Sequence, residues 1–374
     1  MIEEPEKIIS HMQHAIYLAK KAWGQTHTNP MVGAVIVEGG KVVSEGYHQR
    51  SGGKHAEIIA LESYKGTPKA DTTLFITLEP CSTAGRTGAC TNAIITSGIK
   101  HVVIGTLDPN PNHSGYGVTL LKSAGISVKV GVLEEVCREM NVIFNHWIVH
   151  QKPLCALKIA MTLDGCMAAS TGHSKWITGE LARNDVMNWR KLFPAIAVSQ
   201  NTVSADNPQL TSRLNDEVFC SRRFVFNRAL RDLENYKNYH LFTDDFKLET
   251  IVVHGTEASR DKVEALEAMG IQAWEISESE GKLDISEFLK LCAKKEIPGV
   301  FIEPGAKLAT HMISNGLVDY IYIYQSPKFL MDQKGHSLGV ERFSELMDES
   351  VRLINLKRIY FGEDTLITGN LQNF

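Results

Sequence analysis

HAEIIALESYKGTPKADTTLFITLEPC, residues 55–81, is the stretch from which the fold is read. Its first eleven residues are rich in helix formers and carry no breaker. TTLFITL then reads as a short, fully buried strand that runs into Glu79-Pro80-Cys81. Outward in both directions the alternation continues. VGAVIVEGGKVVSEGY (32–47) is two β-rich runs around Gly39-Gly40, a hairpin signal. Residues 5–23 place Ile8, Ile9, Met12, Ile16 and Ala19 at helical spacing. CTNAIITSG (90–98) is a helix closed by Gly98, KHVVIGTL (100–107) a strand, 116–124 a helix and ISVKVGV (126–132) a strand. Strands alternating with helices predict an α/β layer fold with helices covering a sheet.

A helix over about 132–149 leads to a linker at His150–Pro153, after which a second alternating series begins. Strands are expected at 154–161, 195–199, 222–227, 250–254, 298–302 and 318–325, and helices at 179–191, 257–269, 284–295 and 306–315. A chain of 374 residues supports two such domains. The boundaries read from sequence are 1–149 and 150–374.

Composition excludes several classes. A formal net charge of −4 gives no bulk attraction to nucleic acid or anionic membrane. No run reaches the roughly 20 apolar residues of a membrane span, and the acidic start MIEEPEKIIS is not a signal peptide. Seven scattered cysteines argue against a disulfide framework and for a reducing, cytoplasmic setting. The expected partner is a small-molecule substrate, with neither nucleic acid nor membrane, and a homo-oligomer is expected.

The chemistry-bearing residues are His55, Cys81 and Cys90, with Glu57 two positions after the histidine. One imidazole and two thiolates leave a tetrahedral Zn2+ one open position for water, and zinc brings that water's ionisation near neutral pH. Hydrolytic deaminases of nitrogen heterocycles use this donor set with a non-ligand Glu as proton carrier. Residues i and i+2 do not share a helix face, so His55 and Glu57 converge only at the helix's N-terminal tip. Glu57 is assigned the catalytic role of moving a proton to the ring nitrogen and the departing ammonia. Cys90 sits just before a helix of residues 91–97, whose positive end favours thiolate. A zinc-stabilised RNA-binding module without turnover is the alternative from another class. It needs a fourth protein ligand, for which His101 and His113 lie nearest in sequence.

TNPMVGAVIV (28–37), GYHQRSGGKHAE (46–57), TLEPCS, GRTGAC (85–90) and DPNP (108–111) resemble the deaminase half of the bifunctional deaminase/reductase family of riboflavin biosynthesis. The resemblance implies a cytidine-deaminase-like three-layer α/β domain acting on a diaminopyrimidinone that carries ribose phosphate. It places Asn29, His48, Arg86, Asp108 and Asn110 at the substrate. LKIAMTLDG (157–165), GHSKWITG (172–179), TVSADNPQLTSR (202–213) and IEPGAKLA (302–309) resemble the family's reductase half, a dihydrofolate-reductase-like α/β domain using NADPH. By motif position Ala160, Trp176, Thr202, Asp206 and the Gly305 turn would contact the cofactor. Ser174, Arg190, Leu210, Arg213 and Glu303 would meet the substrate, with Arg190 and Arg213 as phosphate ligands. The implied sequence is deamination of the base, then hydride transfer to C1′ of the opened ribosylamine. A deaminase with a retargeted reductase in a related pteridine or deazapurine pathway is the second reading. The chain departs from the family's usual pattern at Thr83-Ala84, Gly115-Tyr116-Gly117, Pro194, Asn207, Asn227-Arg228 and Pro304.

Overall fold

A computed structural model describes residues 5–82, 89–339 and 346–372. The chain divides into two compact units after Gln151. Each has its own sheet and core.

The first unit runs α1 (Pro5–Lys20), β1 (Gly33–Glu38), β2 (Lys41–Tyr47), α2 (Ala56–Ser63), β3 (Thr73–Leu78), α3 (Cys90–Ser97), β4 (His101–Thr106), α4 (Tyr116–Ser123), β5 (Ser127–Val130), α5 (Glu134–Met140) and α6 (Val142–His150). Its sheet has the order β2-β1-β3-β4-β5. β1 pairs antiparallel with β2 and β3, whereas β3, β4 and β5 are parallel. Gly39 and Gly40 close the β1–β2 hairpin with φ of 56° and 72°, a turn that only glycine enters without strain at both positions. Alternate strand residues face opposite layers. Ala34, Ile36, Leu74, Ile76, Val102 and Ile104 pack with Ala56, Ala60, Ile94 and Leu121 of α2, α3 and α4. On the other face α1 covers β1 and β3, with Met12, Ala15, Ile16 and Ala19 buried. The three-layer architecture follows from this alternation.

The helix expected over 132–149 is two helices. Asn141 ends α5 and starts α6 because its side chain is committed elsewhere: Oδ1 accepts from Met31 N at 2.7 Å and Nδ2 donates to Met31 O at 2.9 Å.

The second unit contains β6 (Leu154–Met161), β7 (Cys166–Ala168), α7 (Glu180–Leu192), β8 (Ala195–Ser199), α8 (Gln200–Asp206), β9 (Ser212–Leu214), β10 (Glu217–Phe219), β11 (Arg222–Phe226), α9 (His240–Thr243), β12 (Thr250–Gly255), α10 (Arg260–Ala268), β13 (Gln272–Ile276), β14 (Glu278–Ser279), β15 (Lys282–Leu283), α11 (Ile285–Lys294), β16 (Gly299–Ile302), α12 (Ala306–Ser314), β17 (Tyr320–Gln325), β18 (His336–Ser337), β19 (Leu353–Phe361) and β20 (Asp364–Leu371). Nine of these strands form one sheet, ordered β13-β12-β11-β8-β16-β6-β17-β20-β19. It is parallel from β13 through β17 and antiparallel at β20 and β19. The central strands β8 and β16 are buried along both faces, and on one of them Cys155, Leu157, Ala195, Ala197, Val300 and Ile302 share a core with Phe288 and Cys292 of α11 and Ala309 and Met312 of α12. The β19–β20 hairpin and β13 are additions to the sequence reading. A register shift between Ile354 and Lys357 breaks the alternation that would mark β19 as a strand. In an open sheet, ligands bind at the carboxyl ends of the strands where strand order reverses, here around β8, β16 and β6. No helix among the described residues is long and apolar enough to cross a membrane.

Candidate metal centre and candidate reductase cleft

His55 is the N-cap of α2 and Cys90 the first residue of α3, while Cys81 lies just beyond β3. Two helix tips and one strand end thus bring the three donors together, all within 4.8 Å of one another. His55 Nδ1 lies 3.2 Å from Cys90 Sγ and 3.7 Å from Cys81 Sγ. A tetrahedral zinc with ordinary Zn–N and Zn–S bonds places such atoms roughly 3.6 Å apart, so the donor set fits the ion. Among the described residues this is the one His/Cys/Asp/Glu group of metal-ligating geometry, and it supplies three ligands. His101 turns away, its Nε2 bonded to Ala70 O at 3.1 Å. Three protein ligands leave a position open, as catalytic rather than structural zinc sites do.

The three donors are also electrostatically linked to one another. The Cys90 thiol, then His55 and the Cys90 backbone N–H at 3.3 Å, hold the Cys81 thiol down at about 4, while the same pairing pushes Cys90 up. The hydrogen bond with Cys81 raises His55. Glu57, in the first turn of α2, is 3% exposed. Burial pushes its carboxyl up to about 7, so it can hold or release a proton near neutrality.

Asn29 and His48 meet beside this group. His48 Nδ1 donates to Lys54 O at 3.0 Å, which leaves Nε2 to accept from Asn29 Nδ2 at 3.3 Å. That arrangement suits a neutral ring, and burial lowers the His48 pKa accordingly. Its ring stands edge-on to His55, with centroids 5.6 Å apart. Asp108 and Asn110 lie on the loop after β4 and shape each other's turn: Asp108 Oδ1 accepts from Asn110 N at 2.9 Å. Burial raises the Asp108 carboxyl. Arg86 and the Thr83-Ala84 pair lie outside the described residues.

Glu79 is a residue beside the candidate site that the sequence reading missed. Its buried carboxylate accepts from Asp108 N at 3.1 Å, Gly115 N at 2.9 Å and Val118 N at 3.1 Å. It therefore ties the strand end that leads to Cys81 to the loop carrying Asp108 and to the start of α4. Gly117 must be glycine here, because a Cβ would sit 2.4 Å from Pro80 O. The Gly115-Tyr116-Gly117 departure is thus part of this junction.

In the second unit a cleft of about 670 Å³ is lined by Ala160, Ser174, Trp176, Thr202, Asp206, Leu210, Arg213, Arg190 and Glu303. Nine of the ten candidates named for this unit therefore share one cavity. Gly305 is not among its lining residues; it is the N-cap of α12, and no side chain caps that helix start. Glu303, just past β16, forms a bidentate pair with Arg190: Nε–Oε1 is 2.7 Å and Nη2–Oε2 is 3.1 Å. Burial acts to raise the Glu303 carboxyl, but Arg190 and Lys158 outweigh it and hold it at about 2. Arg190 also donates to Thr211 O at 3.2 Å. Arg213 donates to Gln209 Oε1 at 2.6 Å and Thr211 Oγ1 at 2.8 Å. Ser174 Oγ donates to Asp206 Oδ1 at 3.2 Å. Trp176 is 64% exposed at the cleft, with the Arg183 guanidinium 4.5 Å above its ring. Leu210 is buried with φ of 53°, a left-handed conformation costly for a side chain of its size.

Lys158 also lines the cleft and was missed. Burial lowers its pKa, and its Nζ lies 3.8 Å from Glu303. A lysine inside the apolar run LCALKIAM is the signal that could have found it, since an unpaired ammonium does not belong on a buried strand. Asn207, which departs from an acidic pattern, has φ of 42°, donates to Asn238 O at 3.2 Å and accepts from His240 N at 2.8 Å. A carboxylate could make only the second bond.

The family description "RibD C-terminal domain" matches residues 153–366. "Cytidine and deoxycytidylate deaminase zinc-binding region" matches residues 5–106. Riboflavin biosynthesis protein RibD of Aquifex aeolicus is 39% identical over 98% of this chain and 99% of its own. The solved structure of Acinetobacter baumannii RibD is 32% identical, covers 99% of this chain and 100% of its own, and superposes with a TM-score of 0.80. A Thermotoga maritima diaminohydroxyphosphoribosylaminopyrimidine deaminase/5-amino-6-(5-phosphoribosylamino)uracil reductase is also 32% identical, over 98% of this chain and 99% of that one, with a TM-score of 0.78.

Proposed function

The chain belongs to the RibD family of riboflavin-biosynthesis proteins, and from that premise we propose how its residues divide the work. It is a zinc-dependent deaminase and NADPH-dependent reductase on one chain. It deaminates the diaminopyrimidinone ribosyl phosphate and then reduces the ribosyl to a ribityl side chain. We assign the first reaction to residues 1–149 and the second to 150–374. The observation that supports this most is the pairing of a three-ligand His/Cys/Cys group beside a buried glutamate in one unit with a cleft lined by Lys158, Arg190, Arg213 and Glu303 in the other.

His55, Cys81 and Cys90 would hold zinc, which supplies activation of water for attack on the amidine-like ring carbon. Glu57 would accept a proton from the attacking water and deliver it to the ring nitrogen, then take the proton of the new hydroxyl on the ring carbon and pass it to the departing amine, which leaves as ammonia. A carboxyl lifted to about 7 is matched to both halves of that task. Asn29 and neutral His48 orient the base, Asp108 and Asn110 close over it from the loop that Glu79 anchors, and Arg86 is assigned to the substrate.

In the second unit bound NADPH would supply the hydride for C1′ of the substrate. Ala160, Trp176, Thr202, Asp206 and Gly305 are assigned to the cofactor. The uncapped N-terminus of α12 at Gly305 suits its phosphates. Ser174, Leu210, Arg190, Arg213 and Glu303 are assigned to the substrate. Glu303 already engages Nε and Nη2 of Arg190, so Arg213 carries the larger share of the sugar phosphate charge. The proposed setting is the cytoplasm, as a homo-oligomer without nucleic-acid or membrane partners. A net charge of −4 and seven free cysteines support that setting.

The test is mass spectrometry of products from the diaminopyrimidinone ribosyl phosphate, with and without NADPH. One amino-to-oxo exchange without NADPH, and two further hydrogens with it, is the expected result. Oxidation of NADPH without any amino-to-oxo exchange would overturn the assignment.

A further inference from the structure

Arg223, the second residue of β11, is fully buried, yet all five of its N–H groups are used. Nε donates to Thr250 Oγ1 at 3.0 Å. Nη1 donates to Gln209 O at 3.0 Å and to Asp244 Oδ2 at 2.7 Å. Nη2 donates to Leu241 O at 3.1 Å and to Asp244 Oδ1 at 2.8 Å. Thr250 Oγ1 in turn donates to Leu241 O at 2.7 Å, and Asp244 Oδ1 accepts from Phe246 N at 3.1 Å. One guanidinium thus joins the start of β12, the end of α9 and the segment Gln209–Arg213.

That segment is part of the cleft wall. Gln209, Leu210 and Arg213 line it, and Arg213 is held by Gln209 Oε1 and Thr211 Oγ1. From the cleft side Arg190 donates to Thr211 O. From behind, Arg223 grips Gln209 O, one residue before left-handed Leu210. The loop is strung between two guanidinium groups, one facing the cleft and one in the core. A buried ion pair is seldom superior to apolar packing for stability alone. What this one provides, and apolar packing would not, is a directed bond to the Gln209 carbonyl.

We propose that Arg223, clamped by Asp244 and Thr250, is a positioning residue of the reductase that fixes the Gln209–Arg213 segment so that Arg213 is aimed at the substrate's sugar phosphate. This rests on the reading of Arg213 as a phosphate ligand. Arg223 itself touches neither substrate nor cofactor.

The experiment uses the full-length zinc-loaded enzyme, the deaminated ribosylaminopyrimidine phosphate and NADPH. Arg223→Lys keeps a charge for Asp244 but cannot reach every acceptor. KM for the sugar phosphate should rise about tenfold, as for one displaced charge-assisted hydrogen bond, with kcat and the NADPH Kd within about twofold. Thr250→Val, near-isosteric and buried, removes one acceptor of Arg223 and should raise the same KM about threefold. The discriminating readout is a double-mutant cycle with Arg213→Ala. If Arg223 acts through Arg213, adding Arg223→Lys to Arg213→Ala changes KM no further. Additive effects in that cycle, or a lowered melting temperature with unchanged KM in both single variants, would overturn the proposal. Should Arg223→Lys fail to bind NADPH, Thr250→Val alone decides by the same criteria. Arg213→Ala without effect on KM would instead refute the phosphate reading, and the proposal with it.

Discussion

Replacing Glu303 with glutamine tests the electrostatics of the cleft at its most loaded point. The carboxylate is 13% exposed and faces Arg190 at 2.7 Å and Lys158 at 3.8 Å. It is held at about 2 against an ordinary 4.5. That difference corresponds to about 3 kcal/mol of stability at neutral pH. Breaking a buried pair by removing one partner costs roughly 3–5 kcal/mol, which is the same range reached independently. Because the folded pKa is depressed, the contribution is fully present above about 4.5 and is lost as pH falls towards 2. For a unit of this size each kcal/mol moves Tm by roughly 2–4 °C, so Glu303→Gln should lower the reductase transition by about 6–12 °C at neutral pH. The assay is scanning calorimetry of the full-length, zinc-loaded protein, with NADPH added to identify the reductase transition by its upward shift. Lowering the pH should close the gap between wild type and variant. A variant whose transition coincides with the wild type at neutral pH, or a gap that widens in acid, would refute this reasoning.

Other outcomes follow from the same geometry. Cys90→Ser should leave well under one zinc per chain by elemental analysis, and chelation of wild type should abolish ammonia release while sparing NADPH oxidation by pre-deaminated substrate. Glu79→Gln should retain zinc yet raise KM for the diaminopyrimidinone about tenfold, because the amide cannot accept all three backbone N–H groups now bound. Arg213→Ala should raise the reductase KM about 10- to 100-fold, and the penalty should vanish with a dephosphorylated substrate.

The convergence of His55, Cys81 and Cys90 was legible because they are set by short local motifs at a helix tip, a strand end and a second helix tip. The sheets were legible where apolar runs are continuous, as in β3, β4, β8 and β16. What escaped depends on partners far away in sequence. Glu79 matters because its acceptors receive N–H groups 29 to 39 positions on. Asn141 breaks a helix because Met31 claims its amide across 110 positions. Arg223 in RRFVF reads as the charged flank of a strand, and only the folded chain shows it turned inward onto Gln209, Asp244 and Thr250. Lys158 was hidden by the apolar residues around it. Gly305 fell on the expected helix start but outside the cleft lining. The terminal hairpin was obscured by its own bulge.

The most direct test of two sites acting in series is NADPH oxidation by a Glu57→Gln variant that retains zinc. With the diaminopyrimidinone ribosyl phosphate as sole substrate, ammonia release should fall by at least about 100-fold, as for loss of a general acid–base, and NADPH oxidation should fall with it. With the deaminated compound, NADPH oxidation should match wild type. Ammonia release unchanged by the substitution, or reduction impaired on both substrates, would contradict the account.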